Sequence, residues 1–179
     1  AVIAFTIAPV MGRRIGKPRA GMLFMALASL LLALPYALRF AGLFPAPGDP
    51  AMLPLLLFIF LLNAASAVSA TILGASMMAD VVEHSEAETG RRSEGVFFAG
   101  AFFVQKCTSG LGILLVGTLL SAVGFPDGAA PGSVAPAVID RLTLIFIGGY
   151  LILGLSAALL YGRFPFGKAE HEARVEAMR

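Results

Sequence analysis

Charge is what this sequence most lacks. Asp, Glu, Lys and Arg make up 13% of its 179 residues, where a soluble domain carries about a quarter. Hydrophobic residues make up 58%, and the mean hydropathy is +0.88. Too few polar groups remain to coat a globule of this length in water. A single cysteine, Cys107, rules out a disulfide framework. It falls within an apolar run, where burial disfavours the thiolate, and is read as a small packing residue. His84 and His171 are the two histidines. Neither belongs to an H-E-x-x-H pattern or a Cys/His cluster, so no zinc site is expected. No phosphate-cradling glycine loop occurs. Gly110-Leu111-Gly112 lacks a third glycine and, like Gly148-Gly149, is expected to serve close helix packing. No metal site, catalytic constellation or enzymatic activity is expected. The net charge of +2 comes from basic residues at the ends of apolar runs, which does not point to nucleic acid.

What is present is apolar sequence in long blocks. Segments 20–38, 51–79, 107–124 and 142–162 contain no Asp, Glu, Lys, Arg or His. Runs of about 18 or more such residues read as membrane spans. Hydrocarbon offers the backbone no hydrogen-bond partner, so each run must be a helix; the alternation over about ten residues that marks a β-barrel is absent. The expectation is an all-α, polytopic membrane helix bundle over 1–163, with spans near 1–11 (partial), 20–40, 51–79, 95–124 and 142–162. A polar tail follows over 164–179, as a solvated end or an amphipathic helix. The chain starts Ala-Val-Ile, without an initiator Met or a signal-peptide pattern. It is read as part of a longer protein.

Four connecting loops are expected, over 12–19, 41–50, 80–94 and 125–141. The first, the third and the segment from Arg163 onward carry four, two and four Lys or Arg, against Arg39 and Arg141 on the other side. This positive-inside bias puts the basic loops and the C-terminus in the cytoplasm.

Three features can carry function. Lys106 is the one charge well inside a span, eleven residues beyond Gly95, or roughly 16 Å along a helix. A lysine at the midplane costs about 2.5–3.5 kcal/mol on insertion scales. It serves either as an assembly partner for a carboxylate or as a cation in a transport path. In the long span 51–79, Ser66, Ala70 and Gly74 recur every fourth residue, forming a strip that lets another helix approach. The alternative is that Asn63, Ser66 and Ser69 face a hydrated cavity. The segment 80–94 holds Asp80, Glu83, Glu86, Glu88, Arg91, Arg92 and Glu94. Such a segment is either a solvated loop or a gate whose salt bridges open and close one side of the path.

Several of these residues form a pattern. Ala79-Asp80-Val81-Val82-Glu83, Glu86, Thr89-Gly90-Arg91-Arg92, Glu94-Gly95, Phe97-Phe98, Val104-Gln105-Lys106 and Ser109-x-x-Gly112 occur in register over about 34 residues. This stretch resembles the glycoside–pentoside–hexuronide:cation symporter family of the major facilitator superfamily. It departs from that family at His84, where Tyr is usual, at Ser85 and Ala87, and in an Asp-x-x-Glu in place of Asp-x-x-Asp. The resemblance implies a twelve-helix secondary transporter of two six-helix halves, of which this chain supplies roughly helices 8–12. It implies cation-coupled symport of a sugar, glycoside or related small solute by alternating access. Lys106, Gln105 and Asn63 would then lie along the substrate or cation pathway, with Asp80, Glu83, Glu86, Arg91, Arg92 and Glu94 at a cytoplasmic gate. No organic cofactor is implied. The coupling cation, Na⁺ or H⁺, would be bound mainly by the missing N-terminal half, in a bacterial inner (plasma) membrane among lipid. The alternatives are a lipid or drug carrier on the same scaffold, or a non-transporting membrane scaffold or enzyme subunit.

Overall fold

A computed structural model describes residues 2–130 and 132–165. Among them are five helices and no strand: α1 Val2–Ile15, α2 Lys17–Phe40, α3 Met52–Thr89, α4 Glu94–Ala122 and α5 Pro136–Gly162. The last four are long and apolar enough to cross a membrane; the fourteen-residue α1 is not among them. The expected tail lies outside the described residues from 166 onward.

Two expected loops are largely helical. The basic segment 12–19 is interrupted at Gly16 alone, between α1 and α2. Gly16 has a φ of 88°, open to glycine and strained for a residue with a Cβ. Pro18 then stands in the first turn of α2, where a missing N–H loses nothing. The segment 80–94 is also mostly helix, because α3 runs unbroken for 38 residues. No Gly or Pro occurs between Ala75 and Thr89 to stop it. Gly90, at φ 68°, ends it in the left-handed conformation and returns its N–H to the Glu86 carbonyl. A helix of this length is about 57 Å long. It exceeds a hydrocarbon core of about 30 Å, and its charged last ten residues extend the apolar span.

The chain divides into two compact units, one holding residues up to Arg92 and from Tyr150 onward, the other Ser93–Gly149. In the first unit, α2 and α3 run antiparallel. Lys17 at the start of α2 meets Asp80 late in α3, and Ala28 meets Asn63. The end of α5 is antiparallel to α2 in turn. A Cβ built on Gly162 would lie 2.7 Å from Met22 Sδ, and one on Gly154 would overlap Ser29. The start of α2 and the ends of α3 and α5 therefore share one end of the unit. Helix α1 closes the α2–α3 seam, where Ala8, Ala20 and Leu73 are buried with Met11, Ile15, Phe24 and Ile72 against them.

The strip of small residues on α3 is used for packing. Ser66, Ser69 and Ala70 are buried. Tyr161 of α5 lies against Gly74 and donates from its hydroxyl to the Ala70 carbonyl at 3.4 Å. Its ring also sits where a Cβ on Gly21 of α2 would be. Lipid is as apolar as leucine, so such helices gain by close van der Waals contact rather than by expelling water.

In the second unit, α4 buries none of its residues. Cys107 is exposed there rather than packed. Nothing described lies within 4 Å of a Cβ built on Gly110, Gly112, Gly148 or Gly149, so the close packing expected of them is not made among the described residues.

The Tyr161 contact makes a pairwise prediction. A Cβ at Gly74 would meet the Tyr161 hydroxyl at 2.6 Å, whereas one at Gly21 meets the ring itself. Gly74→Ala and Gly21→Ala should each destabilise the full-length protein by about 1–3 kcal/mol, as overpacking does. In a Tyr161→Phe background the Gly74→Ala loss should largely vanish while the Gly21→Ala loss persists. Thermal unfolding in detergent reads the six proteins, wild type and Tyr161→Phe included, and equal losses in both backgrounds would refute the packing.

Candidate functional site

Two groups of polar side chains stand out from the apolar surface, one in each unit. The first is built on the end of α3. Lys17 Nζ lies 2.6 Å from Asp80 Oδ1 and 2.7 Å from Oδ2, a bidentate ion pair with both side chains about one-third exposed. Its partners are 63 residues apart in sequence. The antiparallel register of α2 and α3 brings them together. Sequence analysis placed Asp80 in this group and left out Lys17. The available signal was weak: Asp80 directly follows the apolar run 51–79, but Lys17 is one of four cations before the run 20–38, and Arg19 stands nearer to it.

Beyond Asp80 the contacts are looser. His84 Nε2 and Glu88 Oε1 are 3.1 Å apart, one helical turn along α3. Arg92 reaches back past Gly90 to Glu86 at 3.6 Å, with both side chains well exposed. Exposed pairs of this kind contribute little on their own. Glu83 and Arg91 are exposed. Thr89 caps the turn, donating to the Ser85 carbonyl at 2.7 Å and accepting from the Arg91 N–H at 3.3 Å. Glu94 belongs to the other unit, in the first turn of α4, where a negative charge complements the helix dipole.

The second group is on α4. Lys106 lies twelve residues beyond Glu94 and sixteen before Ala122, roughly 18 and 24 Å along the axis. Both Lys106 and Gln105 are exposed, and the Lys106 ammonium has no partner among the described residues. Its polar neighbours are engaged by their own helix: Thr108 donates to the Val104 carbonyl at 2.8 Å and Ser109 to that of Gln105 at 2.9 Å. What remains on this face is a fixed positive charge with three donors, suited to a carboxylate or to solute hydroxyls.

Asn63 stands apart from both groups. Its amide donates to the Ala28 carbonyl at 2.7 Å, tying α3 to α2. Ser66 and Ser69 are buried and bond back to Leu62 and Ala65. Among the described residues these three side chains bond within α3 or across to α2.

No group of three or more His, Cys, Asp or Glu side chains able to hold a metal occurs among the described residues. The acids on α3 run along a helix end rather than converging.

The family description for MFS/sugar transport proteins matches residues 1–168. A protein named as an uncharacterized symporter, from Synechocystis sp., is 36% identical over an alignment of 103 residues that covers 54% of this chain. The match spans 18% of that relative's length. No solved structure matches. An apolar helical bundle with a lone cation on one span and ion pairs at the end of another agrees with a family match over nearly the whole chain, and the chain belongs to the MFS/sugar transport protein family.

Proposed function

We propose that this chain is the C-terminal part of a secondary active symporter, which moves a sugar, glycoside or related small solute together with Na⁺ or H⁺ by alternating access. The observation that carries the reading is Lys106, an ammonium without a partner among the described residues and roughly midway along an apolar span. Such a charge is costly in hydrocarbon and is tolerated where it meets water, solute or a counter-charge. A further half of the transporter would face α4 and supply that surface, together with the acids that bind the coupling cation. Gln105 would add a donor and an acceptor for solute hydroxyls on the adjoining position.

The Lys17–Asp80 pair and the charged end of α3 form the gate in this reading. Positive charge concentrates at this end, which supports a cytoplasmic orientation for it, in the reading of a bacterial inner-membrane transporter with a cytoplasmic C-terminus. An ion pair between α2 and α3 holds the two helix ends together in one state. Movement of either helix in the other state would separate them and expose both charges to water, at a cost of about 1 kcal/mol for a partly exposed pair. A difference of that size changes a two-state ratio about fivefold, enough to bias a cycle without locking it.

Two measurements on the full-length protein in proteoliposomes test these roles. Lys106→Ala should lower coupled uptake by about tenfold or more, the scale of a lost charge-assisted hydrogen bond, while membrane insertion stays intact. Lys106→Arg should recover part of it. Wild-type uptake by Lys106→Ala, under either a Na⁺ or a proton gradient, would remove Lys106 from the path.

Asp80→Asn and Lys17→Gln should each alter the uptake rate by about fivefold. The exchanged pair, Lys17→Asp with Asp80→Lys, should restore more than half of the wild-type rate. Unchanged uptake in both single variants would show that the pair takes no part in gating.

A further inference from the structure

We propose that Gly148–Gly149 is a hinge in α5, about which the helix bends between its first part, Pro136–Ile147, and its second, Tyr150–Gly162. The close helix packing expected of the pair is not made among the described residues, since no described atom lies within 4 Å of a Cβ built on either glycine. Both are exposed. Two neighbouring glycines are costly in a helix. Each lowers the stability of a helix interior about fivefold relative to alanine, because glycine has more backbone freedom to lose. A glycine pair that packs against nothing contributes softness to the helix and little else.

The other two glycines of α5 supply the contrast. A Cβ on Gly154 would overlap Ser29, and one on Gly162 would lie 2.7 Å from Met22 Sδ, so both glycines let α2 come close. Their missing side chains have a steric explanation. Those of Gly148 and Gly149 have none among the described residues.

An independent observation puts a joint at the same place. The chain passes between its two compact units twice, at Arg92–Ser93 and at Gly149–Tyr150. The first passage lies in the short non-helical link between α3 and α4, just after Gly90 with its φ of 68°. The second lies inside α5, which continues as helix through both glycines. Among the described helices α5 alone belongs to both units, and its change of unit falls on the glycine pair. Sharp bends in helices arise at proline, at glycine or serine pairs, or at bulges. No proline follows Pro136 within α5, so bending at this level falls to the glycines. A soft point in an intact helix also keeps the backbone hydrogen bonds that hydrocarbon demands, which a non-helical link would give up. The proposal concerns α5 itself. It does not rest on the symporter reading, and its test needs no solute.

The test measures distances between paired nitroxide labels by double electron–electron resonance. It uses the purified full-length protein in lipid nanodiscs, with native cysteines, Cys107 included, replaced by serine. Ala137→Cys with Leu159→Cys brackets the glycine pair on α5. Leu57→Cys with Ala79→Cys spans the same 22 residues of α3, across Gly74, against which Tyr161 packs. All four positions are exposed, and each pair is roughly 33 Å apart along its helix. A bend of about 20° moves labels on one face by on the order of 3 Å. The α5 distance distribution should therefore be broader than that of α3 by about that amount. Gly148→Ala with Gly149→Ala should narrow it to the α3 width. The same double variant places two better helix formers in open space and should raise Tm by about 2–4 °C. An α5 distribution no broader than that of α3 would remove the hinge. One that stays broad in the double alanine variant would put the bend elsewhere. A lowered or unchanged Tm would mean that a neighbour in the full-length protein occupies the space beside the glycines. Each of these results overturns the proposal.

Discussion

The scarcity of hydrogen-bond partners in hydrocarbon is the constraint on which the rest of this structure depends. Every backbone group in a span must bond within its helix, and the side-chain hydroxyls follow the same rule. Ser29, Ser66, Ser69, Thr71, Thr108, Ser109, Thr118 and Thr143 each donate to the carbonyl four residues before them. Hydroxyls satisfied in this way present an almost apolar surface to their neighbours. They can therefore sit in helix seams, as Ser66 and Ser69 do, without needing water or a partner across the seam.

Few side chains remain that can link one helix to another, and those that do become important. Asn63 bonds the Ala28 carbonyl, Tyr161 reaches the Ala70 carbonyl, and Lys17 pairs with Asp80. The first two use a carbonyl's second lone pair and leave the helical bonds in place. Between them, glycines at 21, 74, 154 and 162 allow α2, α3 and α5 to approach within side-chain reach. Packing in the apolar zone is thus steric, and directional interactions mark the levels at which helices are held in register. The ion pair sits at the end of the unit, where water is available to both charges when they separate. Two charges parted in hydrocarbon would face a far larger penalty.

The expected helices, their number and most of their limits were legible in the sequence, because hydropathy over twenty residues reports a property of each segment alone. The helical continuation of α3 through Asp80, Glu83 and Glu86 was less so. Charge ends an apolar run but does not end a helix, and the signal for the true end was Gly90. The same holds for the basic segment before α2, where four cations mask a break of one residue at Gly16. Lys106 was legible for the opposite reason: a lone charge in an apolar run is conspicuous however the chain folds. Asn63 could not be assigned from sequence, since an amide facing a cavity and one bonded to a neighbouring carbonyl look alike until that neighbour is in place.

What the sequence determined by itself is the class of this protein, because the bilayer reads length and hydropathy one segment at a time. All-helical spans, the clustering of positive charge at one end and the family pattern around Asp80 and Lys106 all follow from local order along the chain. What tertiary structure alone decided is which residues meet. Lys17 with Asp80 and Tyr161 with Gly21 and Gly74 are separated by roughly 60 to 140 residues in sequence. Their proximity depends on the antiparallel register of α2 with α3 and α5. That register is set by where small side chains let two backbones come close, and such complementarity belongs to pairs of helices, not to either one.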